Sequence, residues 1–466
     1  MGGLSGITSI ALSGLSVDEA ALSVTSNNIA NVNTPGYSRE VVDVAQTTPI
    51  NVGQITYGTG VTLQSVKSVR DNILAARIAD ENGQQSQSQS YLNTMNQVQT
   101  MFNDDSGTGL QSVLSSFYNS FSSLATNPTS TSMRESVITA AQNLATAFNQ
   151  DSTSLQSISS SLDQRVTSDV SQVNSLTAQI AQLNAQIGQA NAADTADSSS
   201  DTAGMLEDQQ SQLVQTLSGL LGTQVNQTSN GMITVTTSNG AVLVAGNQSY
   251  NLDAQPDPVT GHTQVYSQGI NLTSSLSGGD IGGLLQARDQ GIAGVQSQLD
   301  TLAAGISNSV NTQSAAGYDL SGKAGAALFT TPPADVTGAA ANMAVNITDP
   351  SQVAAASTAD AGDGSNALAL ANLQSTAMAN GQNPIDTYST LVSDLGNNVS
   401  EASTENTAQG LVLTQLRQQQ SNECGVSLDE EAVNLIQYQQ AYEASARVIS
   451  TVSNVISTLM QMGGNA

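Results

Sequence analysis

The sequence contains no tryptophan, one cysteine and one histidine, and aromatic residues make up only 3% of it. A single cysteine, Cys424, excludes an intramolecular disulfide. Together with the single His262, it also excludes a zinc site of the cysteine and histidine type within one chain. Aromatic side chains supply much of the buried area of a wide globular core. Their shortage favours narrow helical seams built from Ala, Leu, Val and Ile.

Charged residues are also scarce, at 10% of the chain, against about 25% in an ordinary soluble protein. The 37 acidic and 10 basic residues give a net charge of −27. Because phosphate contacts need clustered lysine and arginine, we expect neither nucleic acid nor a membrane as a partner. No apolar run approaches the roughly 18 residues that span a bilayer. The first basic residue is Arg39, so we expect no cleavable signal peptide and, outside the cell, another export route.

No arrangement typical of an enzyme is present. His262 lies in a turn flanked by proline and glycine and is interpreted as a solvated loop residue, and Cys424 as a small turn residue. Residues 317–323 imitate a phosphate-binding loop, but alanine follows where serine or threonine would hold magnesium. Asp360 and Asp363 lack the ligand spacing of a calcium loop. We therefore predict a protein that is not an enzyme, without cofactor, catalytic residues or metal ligands.

The first segment predicts a helix, because its apolar residues recur at spacings close to three, four and seven. These residues are Leu12, Leu15, Leu22 and Ile29. Gly14 precedes a possible capping box formed by Ser16 and Glu19. The pattern therefore leaves open whether this segment is one helix or two.

A turn should follow at Thr34, Pro35, Gly36 and Tyr37. Proline disfavours helical backbone in the residue before it, so the helix must end before Thr34. Glycine after proline suits a type II turn. Residues 41–66 alternate weakly between apolar and polar and predict short extended pieces.

Helices are predicted next over about 69–102, 110–124, 132–148 and 155–187. In the last of these, apolar residues are separated only by threes and fours, which is typical of a coiled-coil seam. They are Leu155, Ile158, Leu162, Val166, Val170, Val173, Leu176, Ile180, Leu183 and Ile187. Such a helix would be roughly 50 Å long.

Residues 223–275 change character, because they are rich in Thr, Val and Tyr. The Asn-Gly pairs at 230–231 and 239–240 are hairpin signals. Helices predicted over 206–221 and 281–310 flank this segment. It is therefore expected to be a small inserted β domain.

The last third of the chain begins with 315–355, which is rich in Gly, Ala and Pro and predicted to be irregular. Helices resume afterwards, one of them starting at Pro384. The final helix is predicted to start with a capping box, Ser427 with Glu430, and to end at 463–464. It carries apolar residues at strict intervals of seven: Leu428, Leu435, Tyr442, Ile449 and Ile456.

The predicted helices at both chain ends carry an apolar seam. This predicts that the chain runs away from its ends along one axis and returns along the same axis. We predict a mainly α, elongated, multi-domain fold whose terminal helices form a coiled-coil domain. A helical-bundle domain follows, with a small β domain inserted. The predicted boundaries are 1–60 and 420–466 for the terminal domain, 61–221 and 281–419 for the bundle, 222–280 for the β domain, and 315–355 for the irregular segment.

An isolated pair of helices buries little apolar surface. We therefore expect the terminal seams to pack against neighbouring subunits. The residues predicted to do so are Leu15, Leu22, Ile29, Leu428, Leu435, Tyr442, Ile449 and Ile456.

Residues 26–39, Ser-Asn-Asn-Ile-Ala-Asn-Val-Asn-Thr-Pro-Gly-Tyr-Ser-Arg, resemble the amino-terminal signature of the axial proteins of the bacterial flagellum. At the other end, residues 425–431 and 439–449 are similar to the hook-associated members of that family. Hook and rod proteins more often have Arg-Ala-Tyr and Asn-Ala-Lys at the matching places. Two interior segments, 360–368 and 391–396, agree with the hook-associated members as well.

The resemblance implies a structural subunit of the flagellum that forms a ring of copies of itself between hook and filament and is needed for filament assembly and motility. It implies contacts with the hook protein and a second junction protein, and an export chaperone on the carboxyl-terminal helix. It also implies an extracellular location after export without a cleavable signal peptide. Thr34, Pro35, Gly36 and Tyr37 would form the family's turn. The alternatives are a hook or distal rod protein, or a coiled-coil bacterial surface adhesin.

Overall fold

The structure is a computed structural model that describes residues 2–52, 55–102, 109–194, 201–228 and 230–463. Over these residues the chain is mainly α-helical with small antiparallel sheets, so the predicted fold class is confirmed. The helices are α1 (Gly2–Asn31), α2 (Asn72–Met101), α3 (Leu110–Thr126), α4 (Thr131–Asp194), α5 (Thr202–Leu220), α6 (Gly279–Gln286), α7 (Ala293–Ala315), α8 (Ser365–Asn372), α9 (Pro384–Cys424) and α10 (Leu428–Gly463).

The strands lie in the two stretches where the sequence predicts extended structure. They are β1 (Glu40–Gln46), β2 (Ile50–Val52), β3 (Ile55–Tyr57), β4 (Val61–Ser68), β5 (Thr223–Gln227), β6 (Ile233–Thr237), β7 (Val242–Ala245), β8 (Gln248–Ser249), β9 (Leu252–Pro256), β10 (Thr263–Ser267) and β11 (Ile270–Asn271). β1 pairs with β4, β2 with β3, β5 to β8 form one sheet, and β9 to β11 form another. Gly240, with φ +88°, turns the chain between β6 and β7, as the Asn-Gly pair predicts.

α4 is 64 residues long and joins two segments, 132–148 and 155–187, for which the sequence pattern predicts separate helices. The polar residues between them include no proline or glycine, so nothing ends the helix there. Phe148 and Leu155 are both fully buried. They lie about two helical turns apart, so the apolar face continues in phase. At 1.5 Å per residue the helix is about 95 Å long.

The helices α2 to α9 and the sheets β5–β8 and β9–β11 share one apolar core, which we call the body. Several of the few aromatic side chains are concentrated in it. The ring of Phe117 lies 5.1 Å from that of Tyr118, 5.3 Å from Phe121 and 5.5 Å from Phe329, between centroids. Phe329 belongs to the turn-rich segment between α7 and α8. The aromatic contacts therefore tie that segment to α3.

Buried charged residues also hold this segment. Arg134 on α4 is fully buried and donates hydrogen bonds to the carbonyl oxygens of Pro128, at 2.7 Å, and Val353, at 2.5 Å. Asp300 on α7 is 3% exposed and accepts hydrogen bonds from backbone amides of the 338–340 turn at 3.0 and 2.9 Å. A buried charge is tolerated only where such partners surround it. Both residues therefore fix backbone that forms no regular ladder.

α1 is one helix without a break at Gly14, which answers the question that the sequence leaves open. Over Gly3–Asn31 it is also long and apolar enough to cross a membrane, by length and composition alone. The expectation that no segment reaches this threshold is therefore wrong. Ser, Thr and Gly interrupt the apolar run without adding charge, and only Asp18 and Glu19 of this helix are charged, so its mean hydropathy stays apolar. A signal sequence or the core helix of a soluble protein has the same length and composition.

Asp169 on α4 and Asp280 on α6 form a carboxyl pair in the body. Oδ2 of Asp169 is buried and has no hydrogen-bond partner among the described residues. Asp280 lies 3.1 Å from Nη2 of Arg165 and accepts a hydrogen bond from Ser90 Oγ. Burial, reinforced by the charge of Asp280, raises the pKa of Asp169 to about 6. Ionised Asp169 is therefore unfavourable in the folded chain.

This pair predicts a pH dependence of stability. A raised pKa means that the folded chain holds the proton more tightly than the unfolded chain, so the penalty is full above about pH 6 and is relieved as the pH falls. Between about pH 7.5 and pH 5 the relief amounts to about 1 kcal/mol. We expect Asp169→Asn to raise the free energy of unfolding at the higher pH and to reduce the difference between the two pH values. Denaturant titrations at both values measure this.

Asp253→Asn is the matched control, because Asp253 is exposed on β9. Burial also raises the pKa of Glu40 and Glu207, so the Asp169→Asn variant keeps some pH dependence. If its difference between the two pH values equals that of the parent chain, the carboxyl pair does not hold the proton.

Candidate subunit-packing site at the chain ends

The two chain ends meet in an antiparallel helix pair, α1 against α10. Ser445 Oγ donates to Asp18 Oδ2 at 3.4 Å near the middle of the pair. At its base, Arg39 Nη1 lies 3.4 Å from Glu430 Oε2. Ala21 is buried. A small residue such as alanine lets α10 pack closely against α1, and it also favours the helix. The segments predicted to be seamed therefore do lie together in space.

The residues that the sequence predicts for subunit packing fall into two groups. Five are partly buried: Leu15, Leu22, Ile29, Leu435 and Ile449. Three are exposed: Leu428 by 52%, Tyr442 by 37% and Ile456 by 37%. Because α10 packs mainly on α1, the buried part of its seam joins the two ends of one chain. Contacts of these residues with other subunits remain a prediction.

A second apolar row on α10 faces outward, and the heptad argument above does not identify it. Its members are exposed by 42 to 70%: Val433, Ile436, Val448, Val455, Leu459 and Met462. Val448, Val455 and Met462 repeat at intervals of seven, which is the signal that could have shown it. A row of large apolar side chains in water usually marks an interaction surface. We call these six residues the outer row of α10.

The predicted turn follows the end of α1 at Asn31. Tyr37 N donates to the carbonyl oxygen of Thr34 at 3.2 Å, and Gly36 has φ +80°. A positive φ at the third of four turn residues is the type II geometry that Pro35 and Gly36 predict. The turn is exposed at its tip, whereas its last residue reaches back to α1.

Asn28 connects the turn, α1 and β1. Its side chain is 1% exposed. Nδ2 donates to the backbone oxygen of Glu40 at 2.9 Å, and Oδ1 accepts from Glu40 N at 2.9 Å and from Tyr37 Oη at 2.8 Å. A buried amide that lost these partners would carry the full cost of desolvation. The asparagine of the signature segment therefore has an architectural role, which fixes where β1 starts.

The surroundings keep the donor of this network protonated. Burial raises the pKa of the Tyr37 hydroxyl, and the negative charge of Glu40 raises it further. Burial also raises the pKa of the Glu40 carboxyl, partly offset by the hydrogen bond from Asn27 at 3.1 Å. Tyr37 therefore stays a neutral phenol that can donate to Asn28.

A cleft of about 500 Å³ opens beside the turn, between the chain ends and helices α2, α5 and α9. Its lining includes Tyr37, Arg70, Asp208, Arg417 and Cys424. Burial raises the pKa of the Cys424 thiol, whereas nucleophilic chemistry needs the thiolate. Within the described ranges, no three metal-ligating side chains of His, Cys, Asp or Glu lie together.

His262 lies in the loop before β10, as its neighbours in sequence predict, but its side chain also has a partner. Its Nδ1 lies 3.0 Å from Asp163 Oδ2, although the side chain is still 40% exposed. Asp163 Oδ1 also accepts from Thr263 N at 2.8 Å and Arg288 Nη1 at 2.5 Å. Asp163 lies 99 positions away in sequence, so no local pattern could reveal this contact. The group anchors the β9–β10 hairpin on α4.

The two segments that resemble ligand-binding loops in sequence, 317–323 and 360–363, are held by hydrogen bonds to their own aspartates. Asp319 Oδ1 accepts from the backbone amides of Ser321, at 2.8 Å, and Lys323, at 2.9 Å. These amides therefore do not form an open cradle for phosphate. Asp363 Oδ1 accepts from Ser365 Oγ and N, and these hydrogen bonds lower the pKa of Asp363. Both segments are turns closed by an aspartate of their own, and the one at Asp360 and Asp363 is the acidic turn that the sequence predicts.

Three parts of the chain match known protein families. Residues 95–329 match the helical domain of flagellar hook-associated protein FlgK. Residues 9–37, which cover most of α1 and the turn, match the flagella basal body rod protein family. Residues 417–462, which cover α10, match the carboxyl-terminal domain of the flagellar basal body rod proteins FlgEFG. The chain ends thus match families of rod proteins, whereas residues 95–329 match the hook-associated family.

Full-length relatives agree. Flagellar hook-associated protein 1 of Escherichia coli K12 is 28% identical over 552 aligned positions, which cover 98% of this chain and 100% of the relative. The protein of that name from Bacillus subtilis 168 is 30% identical, with 97% of each chain covered. The structure of the flagellar hook junction protein FlgK from Burkholderia pseudomallei superposes with a TM-score of 0.66 at 20% identity. It covers 74% of this chain and 99% of its own, and it shows the shared fold.

The resemblance to flagellar axial proteins is thus confirmed, and the body decides among them. A match over half of the chain and a relative that aligns along nearly all of it lead to one conclusion. The chain belongs to the family of flagellar hook-associated protein 1, FlgK.

Proposed function

We propose that this chain is a structural subunit at the junction between hook and filament, on which filament assembly and motility depend. The observation that carries the proposal is the outer row of α10, an apolar surface that the chain itself leaves uncovered. The names of the relatives, hook-associated protein 1 and hook junction protein, point in the same direction. Copies of the chain pack side by side in a ring through their terminal helices.

The physical balance favours apolar packing between copies. At a net charge of −27, two copies repel each other at long range. In physiological salt this repulsion is screened beyond about 8 Å. Full burial of an exposed valine contributes about 1.5 kcal/mol or more, and the valines of the outer row, which are 42 to 64% exposed, would each gain about half of that. Short-range burial along the whole row can therefore outweigh the repulsion.

We propose the following division of the chain and its partners. The terminal domain comprises 1–60 and 420–466, the bundle 61–221 and 281–419, and the β domain 222–280. The terminal domain contacts the hook protein and a second junction protein in the assembled flagellum. Before export, a chaperone covers α10, whose exposed apolar row needs protection in the cytoplasm. Export proceeds without a cleavable signal peptide and leaves the protein in the extracellular flagellum.

The alternatives have less support. A hook or distal rod protein would share the chain ends, but the match over 95–329 is to the hook-associated family. A surface adhesin would not need the matched pair of ends. We propose no enzymatic activity, because proteins of this family are structural components of the flagellum.

One prediction concerns the outer row of α10. Val448 is 42% exposed, so Val448→Asp should leave the folding of the free chain unchanged, measured by its thermal unfolding midpoint. At a packed interface the same aspartate would be desolvated without a partner, at a cost of several kcal/mol. We therefore expect cells that carry the variant to secrete it, to leave it absent from hook tips, and to lack filaments. Immunoblots of the medium and electron microscopy of hooks measure this.

Ser450→Asp is the matched control, because Ser450 is an exposed polar residue of α10 outside the outer row. It should support normal filaments. A Val448→Asp chain that sits on hook tips and supports filaments of normal length would rule out the outer row as an assembly surface. Degradation of the variant in the cytoplasm would instead assign the row to the chaperone.

Another prediction separates the partly buried seam of α10, which faces α1, from the outer row. Ile449 is partly buried, on the helix that packs against α1. Ile449→Asp should therefore loosen the helix pair within one chain and expose α1 as well as α10 to protease. Limited proteolysis of the purified chain, with mass spectrometry of the fragments, measures this. Ser453→Asp, at an exposed position, is the control. If parent and variant are trimmed equally fast, the pair does not form until neighbours are present.

A further inference from the structure

The chain crosses between its ends and its body at two adjacent places. We call α1, β1–β4 and α10 together the terminal unit. One crossing, from β4 to α2, consists of residues 69–71, and the other, from α9 to α10, consists of residues 425–427. Arg39 joins the two, because its carbonyl oxygen accepts from Val69 N at 2.7 Å and its N–H donates to Cys424 O at 3.0 Å. Two short tethers side by side define an axis about which the terminal unit could tilt.

A third contact lies beside these crossings. The start of α5 and its capping residue carry three carboxylates that receive groups of the terminal unit and of the first crossing. Asp208 accepts from Ser38 Oγ at 2.7 Å and Ser38 N at 3.0 Å. Asp201 accepts from Ser68 N and Ser68 Oγ, both at 2.7 Å. α5 is remote from both crossings in sequence, so it restrains the terminal unit independently of the two covalent tethers.

Arg70 stands at the centre of this contact. Its Nη1 lies 2.7 Å from Glu207 Oε2, and its Nη2 lies 2.8 Å from Asp208 Oδ1. Nη2 also donates to the carbonyl oxygen of Gly204. The side chains of Arg70, Glu207 and Asp208 are only 16 to 19% exposed, so solvent and salt screen them little. A guanidinium can hold several acceptors at once in a fixed plane, which a lysine cannot do.

The start of α5 is shaped for this contact. Asp201 caps the helix, since its Oδ1 accepts from Gly204 N at 2.8 Å, while its Oδ2 holds Ser68. Gly204 has to lack a side chain, because a Cβ there would overlap the Asp201 carboxylate. One carboxylate thus starts the helix and binds the terminal unit. The same turn of helix would be capped equally well without the second contact.

The geometry points to a socket on α5, formed by Asp201, Glu207 and Asp208, that sets the angle at which the terminal unit leaves the body, with Arg70 as its positioning residue. The angle decides in turn how the outer row of α10 meets the next copy, a consequence that rests on the proposed function. The cleft of about 500 Å³ lies directly beside Arg70 and gives the unit room to tilt when the socket is empty.

Distance measurement in the full-length chain tests the socket. Spin labels are attached at Gln64→Cys on β4 and Ser157→Cys on α4, two exposed positions, with Cys424→Ser to remove the native thiol. In this background double electron–electron resonance should give one narrow distance distribution. Arg70→Met should broaden or shift it while the body's unfolding midpoint is kept. Arg70→Lys retains the charge but cannot hold all the acceptors, so it should give an intermediate width.

Arg77→Met is the matched control, because Arg77 is an exposed arginine seven residues further along the chain, in the second turn of α2. It should leave the distribution unchanged. A distribution that is as narrow and as centred in Arg70→Met as in the background chain overturns the socket. So does equal broadening by Arg77→Met, because the effect would then follow from lost charge alone.

A second arm measures the consequence in cells that produce only the Arg70→Met chain. We expect normal secretion and loss of the chain from hook tips. Attachment equal to that of the parent, despite a broadened distribution, overturns the link between the angle and assembly. Failure of the proposed function has a different signature, because the parent chain itself would then be absent from hook tips while the distance measurements keep their outcome.

Discussion

α1 and α10 come from opposite ends of the chain, and each covers part of its apolar surface only because the other lies beside it. This pairing constrains everything between them, since the chain must leave the terminal unit and return to the same place. The two crossings are therefore neighbours, and the whole body is an insertion between them. Matches to rod-protein families at the ends alone fit this view. The body, in contrast, matches the hook-associated family.

Apolar periodicity was sufficient to predict most helices, the β insert and the turn after α1, because these features depend on local spacing and turn chemistry. It did not predict that α4 runs unbroken, since the stretch between Phe148 and Leu155 is polar but contains no helix breaker. It also missed the outer row, because the repeat of Val448, Val455 and Met462 continues towards the start of α10 only with Ala441 and Asn434. The partners of Asn28 and His262 are set by tertiary contacts, which spacing along the chain does not encode.

Basic residues are few in this chain, and the buried ones have structural roles. Arg70, Arg134 and Arg288 are all largely buried, and each joins segments that are distant in sequence. Arg70 joins the first crossing to α5, and Arg134 joins α4 to the segment before α8. Arg288, which lies between α6 and α7, joins the β insert to α4. In a chain with few bulky apolar residues, these guanidinium groups fix the relative positions of parts that would otherwise share only narrow seams.

The unbroken course of α4 has a mechanical consequence. Its 64 residues are connected by backbone hydrogen bonds in series, so a twist applied near Thr131 reaches Asp194 without passing through a loop. α3, α5 and both sheets of the β insert lie against this one shaft. The body should therefore turn as a stiff strut, and compliance is left to the two short crossings at its base. A subunit of this kind can transmit torque along α4, while tilting is confined to the crossings.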